Sequence, residues 1–162
     1  GAEVIACARG DDKLRVSKAA GADHLINSET DDIRDIVRAL GGADVVYDPV
    51  GGDQFKAALR ACNPEARILP LGFASGEVPQ IPANILLVKN ISVIGYYWGA
   101  HRKLDPDLIK RSFGELMTWF ENGDLKPHIS HTFDLADAAQ AMNMLSSRKS
   151  TGKVVITTET RH

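Results

Sequence analysis

Four short stretches of this chain carry side chains or glycines suited to holding a ligand. In the first, Arg9, Gly10 and Lys13 follow the apolar run Val4-Ile5-Ala6-Cys7-Ala8. A guanidinium in that place suits a phosphate, because its planar fork matches phosphate oxygens and it keeps its charge. The same residues also fit a solvated turn in which Asp11 caps a helix. In the second, Val50, Gly51 and Gly52 follow Asp48-Pro49. Glycines without a Cβ let a ligand approach the backbone closely, or simply permit a tight turn. In the third, Gly72, Phe73, Ala74 and Ser75 close another apolar run, and Phe73 is as well suited to a core as to a ligand. In the fourth, Arg148, Lys149 and Lys153 surround Ser150 and Thr151, as an anion-binding loop or a solvated basic one. Tyr96-Tyr97-Trp98 reads first as core or interface and only second as a stacking platform.

No residue reads as a general acid, so no catalytic residue is assigned. Cys7 and Cys62 are too few for a disulfide scaffold and read as reduced, packed thiols. His24, His101, His128, His131 and His162 are scattered. His128 and His131 fall in an extended segment after Pro127 with no cysteine beside them, so no metal site is expected. Lys and Arg number 19 against 21 Asp and Glu, a net charge of −2. That balance supports neither general nucleic-acid binding nor a basic membrane-docking face. With 44% hydrophobic and 25% charged residues and no apolar run of membrane-spanning length, the chain reads as a soluble, cytoplasmic globular protein.

The elements that must position these stretches alternate. A strand over 3–8 leads to a helix over 13–20, capped by Asp11 or Asp12 and stopped by Gly21. A short strand over 24–27 precedes a helix over 31–40, capped by Ser28 or Thr30, with Ile33, Ile36, Val37 and Leu40 on one face. A strand over 43–48 runs into the glycine turn, and a helix over 53–62 turns Phe55, Ala58, Leu59 and Cys62 inward. A strand over 66–73 finishes irregularly at Pro70, a helix covers 83–89, and a long strand covers 91–98. Strands alternating with helices of this length make βαβ crossovers and a parallel sheet. Ligands of such sheets sit at the carboxyl ends of the strands, which is where the first three stretches lie. Beyond Gly99 the rhythm changes. Asp105 caps a long helix with Pro106 in its first turn and an apolar stripe of Leu108, Ile109, Phe113, Leu116, Met117 and Phe120. An extended segment, a helix over 134–147 and a last strand over 152–158 follow.

Taken in order, "GAEVIACARGDDKLRVSKAAGADHLIN", "VVYDPVGGDQF", "PANILLVKNISVIGYYWG", "GDLKPHISHTFDLADAAQAM" and "RKSTGKVV" resemble the C-terminal portion of a zinc-independent medium-chain dehydrogenase/reductase of the quinone oxidoreductase group. The resemblance implies an incomplete doubly wound, Rossmann-like α/β sheet over residues 1–99 and the returning C-terminal piece of a catalytic domain over 100–162. It implies that the family's first strand and Gly-rich phosphate loop lie upstream of Gly1, the strand being central, between residues 3–8 and 43–48. It marks Lys13 as a phosphate-binding lysine. Val50 and Gly51 become the approach to the nicotinamide ribose, and Gly72, Phe73 and Ala74 its border. Arg148 and Lys149 become a loop over the cofactor phosphates. A site that prefers NAD places an acid at the end of the second strand, where this chain has Ala8 and Arg9, so NADPH is expected rather than NADH. An aromatic that some relatives carry near the adenine is Ser28 here.

The function expected on this resemblance is hydride transfer from NADPH to a quinone or conjugated carbonyl by the parent protein, with the fragment alone inactive. The other readings are an enoyl-thioester reductase, a relative of the zinc alcohol dehydrogenases, and a non-catalytic dinucleotide-binding or redox-sensing module. A methyltransferase-like domain is disfavoured by the same missing acid. The long apolar strand over Ile91–Trp98, as the edge of its sheet, predicts a homodimer formed by antiparallel pairing with its own copy.

Overall fold

In the computed structural model, which describes residues 1–158, the first apolar run becomes β1 (Ile5–Ala8). It pairs in parallel with β2 (His24–Asn27), Ile5 opposite His24 and Ala8 opposite Asn27. The crossover is α1 (Asp11–Ala19). Its N-cap is Gly10 at φ 77°, and no side chain caps it. Asp11 and Asp12, expected as caps, instead stand in the first turn, where their carboxylates face the positive end of the helix. The next helix, α2 (Ile33–Ala39), is capped by neither Ser28 nor Thr30. The Asp32 carboxylate accepts from Asp35 N–H at 2.9 Å and starts the helix two residues later than the sequence pattern predicts.

A second parallel sheet is built from β3 (Ala43–Asp48), β4 (Cys62–Pro70) and β5 (Ser92–Val93), in that order, with α3 (Gly52–Ala61) and α4 (Ala83–Lys89) between them. Phe55 and Leu59 of α3 pack with Cys62, Ala66, Ile68 and Ile91 into a core. Phe55 and Ile68 are wholly buried there, each burial contributing about 1.5–3 kcal/mol.

The strand expected over 91–98 shrinks to two residues. Pro70 is the reason. Ile94 N–H donates to Ile68 O at 2.9 Å, so Ile68 faces β5. The next residue of β4 to face β5 is Pro70, which has no N–H to donate. The ladder stops, and Tyr96 and Tyr97 run on outside it, 43% and 77% exposed.

Among the described residues, β1 pairs only with β2, and β3 pairs with β4 alone. A cleft of about 600 Å³ separates these two strands, lined by Ile5, Cys7, Val37, Val45 and Tyr47 among others. His24 N–H and Ser28 N–H donate to Val4 O and Ala8 O. Backbone groups alternate edges along a strand, so Ile5 and Cys7 present theirs to the cleft. On β3, Leu71 N–H donates to Asp48 O, which leaves Val45 and Tyr47 facing the cleft from the other side.

The chain divides into two compact units, the first spanning Gly1–Ala100 and the second starting at His101. The second unit holds α5 (His101–Leu104), α6 (Pro106–Glu121), β6 (Ile129–Asp134), α7 (Ala138–Ser146) and β7 (Lys153–Thr157). Asp105 caps α6, its carboxylate accepting from Leu108 N–H at 3.0 Å. Of the stripe on α6, Phe113, Met117 and Phe120 remain about half exposed. The helix expected over 134–147 opens instead as a 3-10 turn, Leu135–Asp137, before α7. β6 and β7 are parallel. His162 lies outside the described residues. No helix among the described residues is long and apolar enough to cross a membrane.

Candidate functional site

The carboxyl ends of β1, β3 and β4 carry three of the four candidate stretches. At the end of β1, Arg9 is about half exposed, and Gly10 holds its φ of 77°. Lys13 stands in the first turn of α1. Asn27, at the end of β2, clamps this turn to its neighbour. Its Oδ1 accepts from Gly10 N–H at 3.2 Å and from Glu29 N–H at 3.1 Å. Glu29 then brings a carboxylate beside Arg9, Oε1 lying 3.8 Å from Nε.

At the end of β3, Asp48 is only 5% exposed. Its Oδ1 accepts from Val50 N–H at 2.8 Å and Gly51 N–H at 3.0 Å. A buried carboxylate spent entirely on two loop amides fixes the path of that loop. Gly51 sits at φ 72°, and a Cβ there would lie 2.7 Å from Glu77 O, so no other residue fits without moving backbone.

The loop after β4 is zipped to this one. Pro49 O accepts from Ala74 N–H at 3.2 Å and Val50 O from Ser75 N–H at 2.9 Å. Gly72 allows the approach, since a Cβ on it would lie 3.0 Å from Pro49 O. Lys56 closes the outer side, its Nζ 3.0 Å from Asp53 and 2.9 Å from Glu77. Val50, Gly51, Gly72, Phe73 and Ala74 therefore form one continuous lip. Phe73 is 45% exposed on that lip.

Arg148 and Lys149 belong to the second unit, on the turn that ends α7. Arg148 takes a φ of 58°, and Lys149 N–H returns to Met144 O at 3.2 Å. Trp98 lies in a 3-10 turn, Trp98–Ala100.

The two thiols differ from expectation in one respect. Cys62 is buried, but Cys7 is exposed on the cleft. Desolvation, then the Asp31 carboxylate, push the Cys7 thiol up to about 11, so it is protonated at neutral pH and is no nucleophile. Burial raises Cys62 as well. Among the described residues no group of three or more His, Cys, Asp or Glu could hold a metal ion. His131 instead stacks on Phe133, with ring centroids 6.3 Å apart.

Sequence reasoning missed Asn27, Glu29 and Asp48 as site residues. Asp48 carried a signal, an acid immediately before Pro-Val-Gly-Gly at a strand end, where Asp side chains bond backbone amides two residues on. Glu29 carried none, because its meeting with Arg9 exists only after β1 and β2 pair.

Comparison with known proteins gives the following. The zinc-binding dehydrogenase family matches residues 20–156. The quinone oxidoreductase-like protein 2 homolog of Nematostella vectensis is 48% identical over 98% of this chain and 44% of its own length. A crystal structure of Pseudomonas syringae quinone oxidoreductase is 28% identical with a TM-score of 0.84, covering 96% of this chain and 49% of that one. A mycobacterial protein complexed with NADPH is 28% identical with a TM-score of 0.82, over 95% of this chain and 48% of that one. An NAD-dependent alcohol dehydrogenase is 32% identical with a TM-score of 0.81, over 98% and 45%. The chain thus spans about half the length of the proteins it matches.

Proposed function

This chain belongs to the zinc-binding dehydrogenase family, in its quinone oxidoreductase-like group, and on that footing we propose that it is the cofactor-binding part of an oxidoreductase that takes hydride from NADPH to a quinone or a conjugated carbonyl. The observation that carries the reading is the pairing of a cationic strand end with a glycine lip. Arg9 stands at the end of β1 with no acid on that strand, and Gly51 holds backbone open where a Cβ would strike Glu77 O. A hydride donor needs such a lip because the nicotinamide must lie flat and close, with C4 aimed at the acceptor. The residues that would hold it are Arg9 and Lys13 at the adenosine end, Gly10 in the turn, and Val50, Gly51, Gly72, Phe73 and Ala74 along the nicotinamide. When bound, the cofactor supplies the hydride. This chain's residues contribute binding and orientation, and Asp48 holds the lip in place. Among the described residues no group of three or more His, Cys, Asp or Glu could hold a zinc ion.

Joining residues 1–162 to the portion of the Nematostella relative that they do not match tests the reading. Quinone-dependent loss of reduced-nicotinamide absorbance with NADPH is the expected result. Oxidation with an enoyl thioester alone would move the substrate to that class. Binding without any turnover would make the chain a sensing module.

We further propose that the protein is a two-fold dimer through the segment 91–98. β5 is the outer strand of its sheet, and Ile94, Tyr96 and Tyr97 beyond it are exposed. The truncated ladder leaves most of that contact to side chains. Light scattering of the joined protein should give twice the chain mass, and Ile94→Lys should give the single mass. A monomer at high concentration before any substitution would refute the dimer.

A further inference from the structure

We propose that Glu29 is a specificity-determining residue, supplying from the β2 turn the acid that the end of β1 lacks, so that the adenosine site accepts both NADH and NADPH. This rests on the dinucleotide reading above. Selectivity at this position comes from what meets the ribose 2′ group: a carboxylate accepts from a hydroxyl, and a guanidinium holds a phosphate. The chain places both on one spot. Glu29 Oε1 lies 3.8 Å from Arg9 Nε, and Oε2 lies 3.9 Å from the point where a Cβ on Gly10 would stand. Asn27 makes the juxtaposition a built one, its single Oδ1 accepting from the amides of both Gly10 and Glu29.

The pair is soft. The side chains of Arg9 and Glu29 are 46% and 53% exposed, and an ion pair that open is weak and readily exchanged. A 2′-phosphate therefore takes Arg9 from Glu29, and the carboxylate left beside it repels the phosphate. A 2′-hydroxyl leaves the pair intact and donates to Glu29. Arg9 favours NADPH, and Glu29 reduces that preference while giving NADH a partner.

The probes are 2′,5′-ADP and 5′-AMP, which differ only by the 2′-phosphate, titrated into the joined protein and followed by amide shifts at Arg9, Gly10 and Glu29. Glu29→Gln should tighten 2′,5′-ADP roughly 3–10-fold, an effect that shrinks at high salt, and should not tighten 5′-AMP. Glu29→Asp should keep the wild-type ratio more closely than Gln does. Arg9→Ala should weaken 2′,5′-ADP roughly 10–100-fold and leave 5′-AMP nearly unchanged. If Arg9→Ala acts as stated and Glu29→Gln moves both probes equally or neither, Glu29 has no part in selectivity and the proposal is overturned while the NADPH reading stands. If Arg9→Ala moves both probes equally, or neither probe shifts these amides at all, the dinucleotide reading of this turn fails and takes the proposal with it.

Discussion

Titrated alone with NADPH, residues 1–162 should bind roughly 1,000-fold more weakly than the same residues joined to a segment that fills the cleft between β1 and β3. The N–H and C=O groups of Ile5, Cys7, Val45 and Tyr47 face that cleft unpaired, across walls that are largely apolar. Two parallel strands facing each other this way fit one further parallel strand between them. Until it is present, the turn at Arg9 and the lip at Gly51 are held together only by the packing of Ile26, Val37 and Ala61 behind them, and a ligand spanning both must supply the rest of that order. A strand in that place also ends beside both, so the loop after it supplies amides to the phosphates. Three such bonds at ~1.5 kcal/mol each make up the factor of roughly 1,000. Calorimetry measures the affinity, and hydrogen exchange checks the cause. In the unjoined chain the amides of Ile5, Cys7, Val45 and Tyr47 should exchange freely, while that of Ile26 should be slow. Joining should protect the first group and leave Ile26 as it was. Micromolar NADPH affinity in the unjoined chain would show that the essential contacts are all within residues 1–162. Early protection of Ile5 and Val45 would show that a second copy already fills the cleft.

The second large effect belongs to Asp48. Replacing it with Ala should lower stability by about 2–3 kcal/mol, because the Val50 and Gly51 amides lose their acceptor and the Gly51 amide is buried. Asp48→Asn keeps an oxygen at the same place and should cost about 1 kcal/mol. Urea unfolding midpoints measure both. The same Ala variant should loosen the zipped lip, so the Ala74 and Ser75 amides, which bond to Pro49 O and Val50 O, should exchange faster. An Ala variant as stable as the wild type, with unchanged exchange at Ser75, would mean that the glycine conformations hold the lip without the carboxylate.

Much of this protein is legible without coordinates. Apolar runs closed by Gly or Pro mark β1, β3 and β4, and Asp105 before Pro106 marks the start of α6. The cation at Arg9, with no acid on its own strand, and the glycines at 51 and 52 stand at strand ends because a βαβ alternation puts every such turn at the same end of a sheet. These signals are local: each depends on the backbone preferences and burial of a few neighbouring residues. What the tertiary structure decided is non-local. Pro70 ends the ladder at Ile94, 24 residues on, because a missing N–H matters only to the strand laid beside it. Asp48 becomes a buried loop anchor only once β4 pairs beside it and the loop after β4 is zipped to Pro49 and Val50. The acid absent from β1 arrives from Glu29 because β1 and β2 pair with Ala8 opposite Asn27, which sets the two turns side by side. Register is a property of two strands, and no pattern within either one contains it.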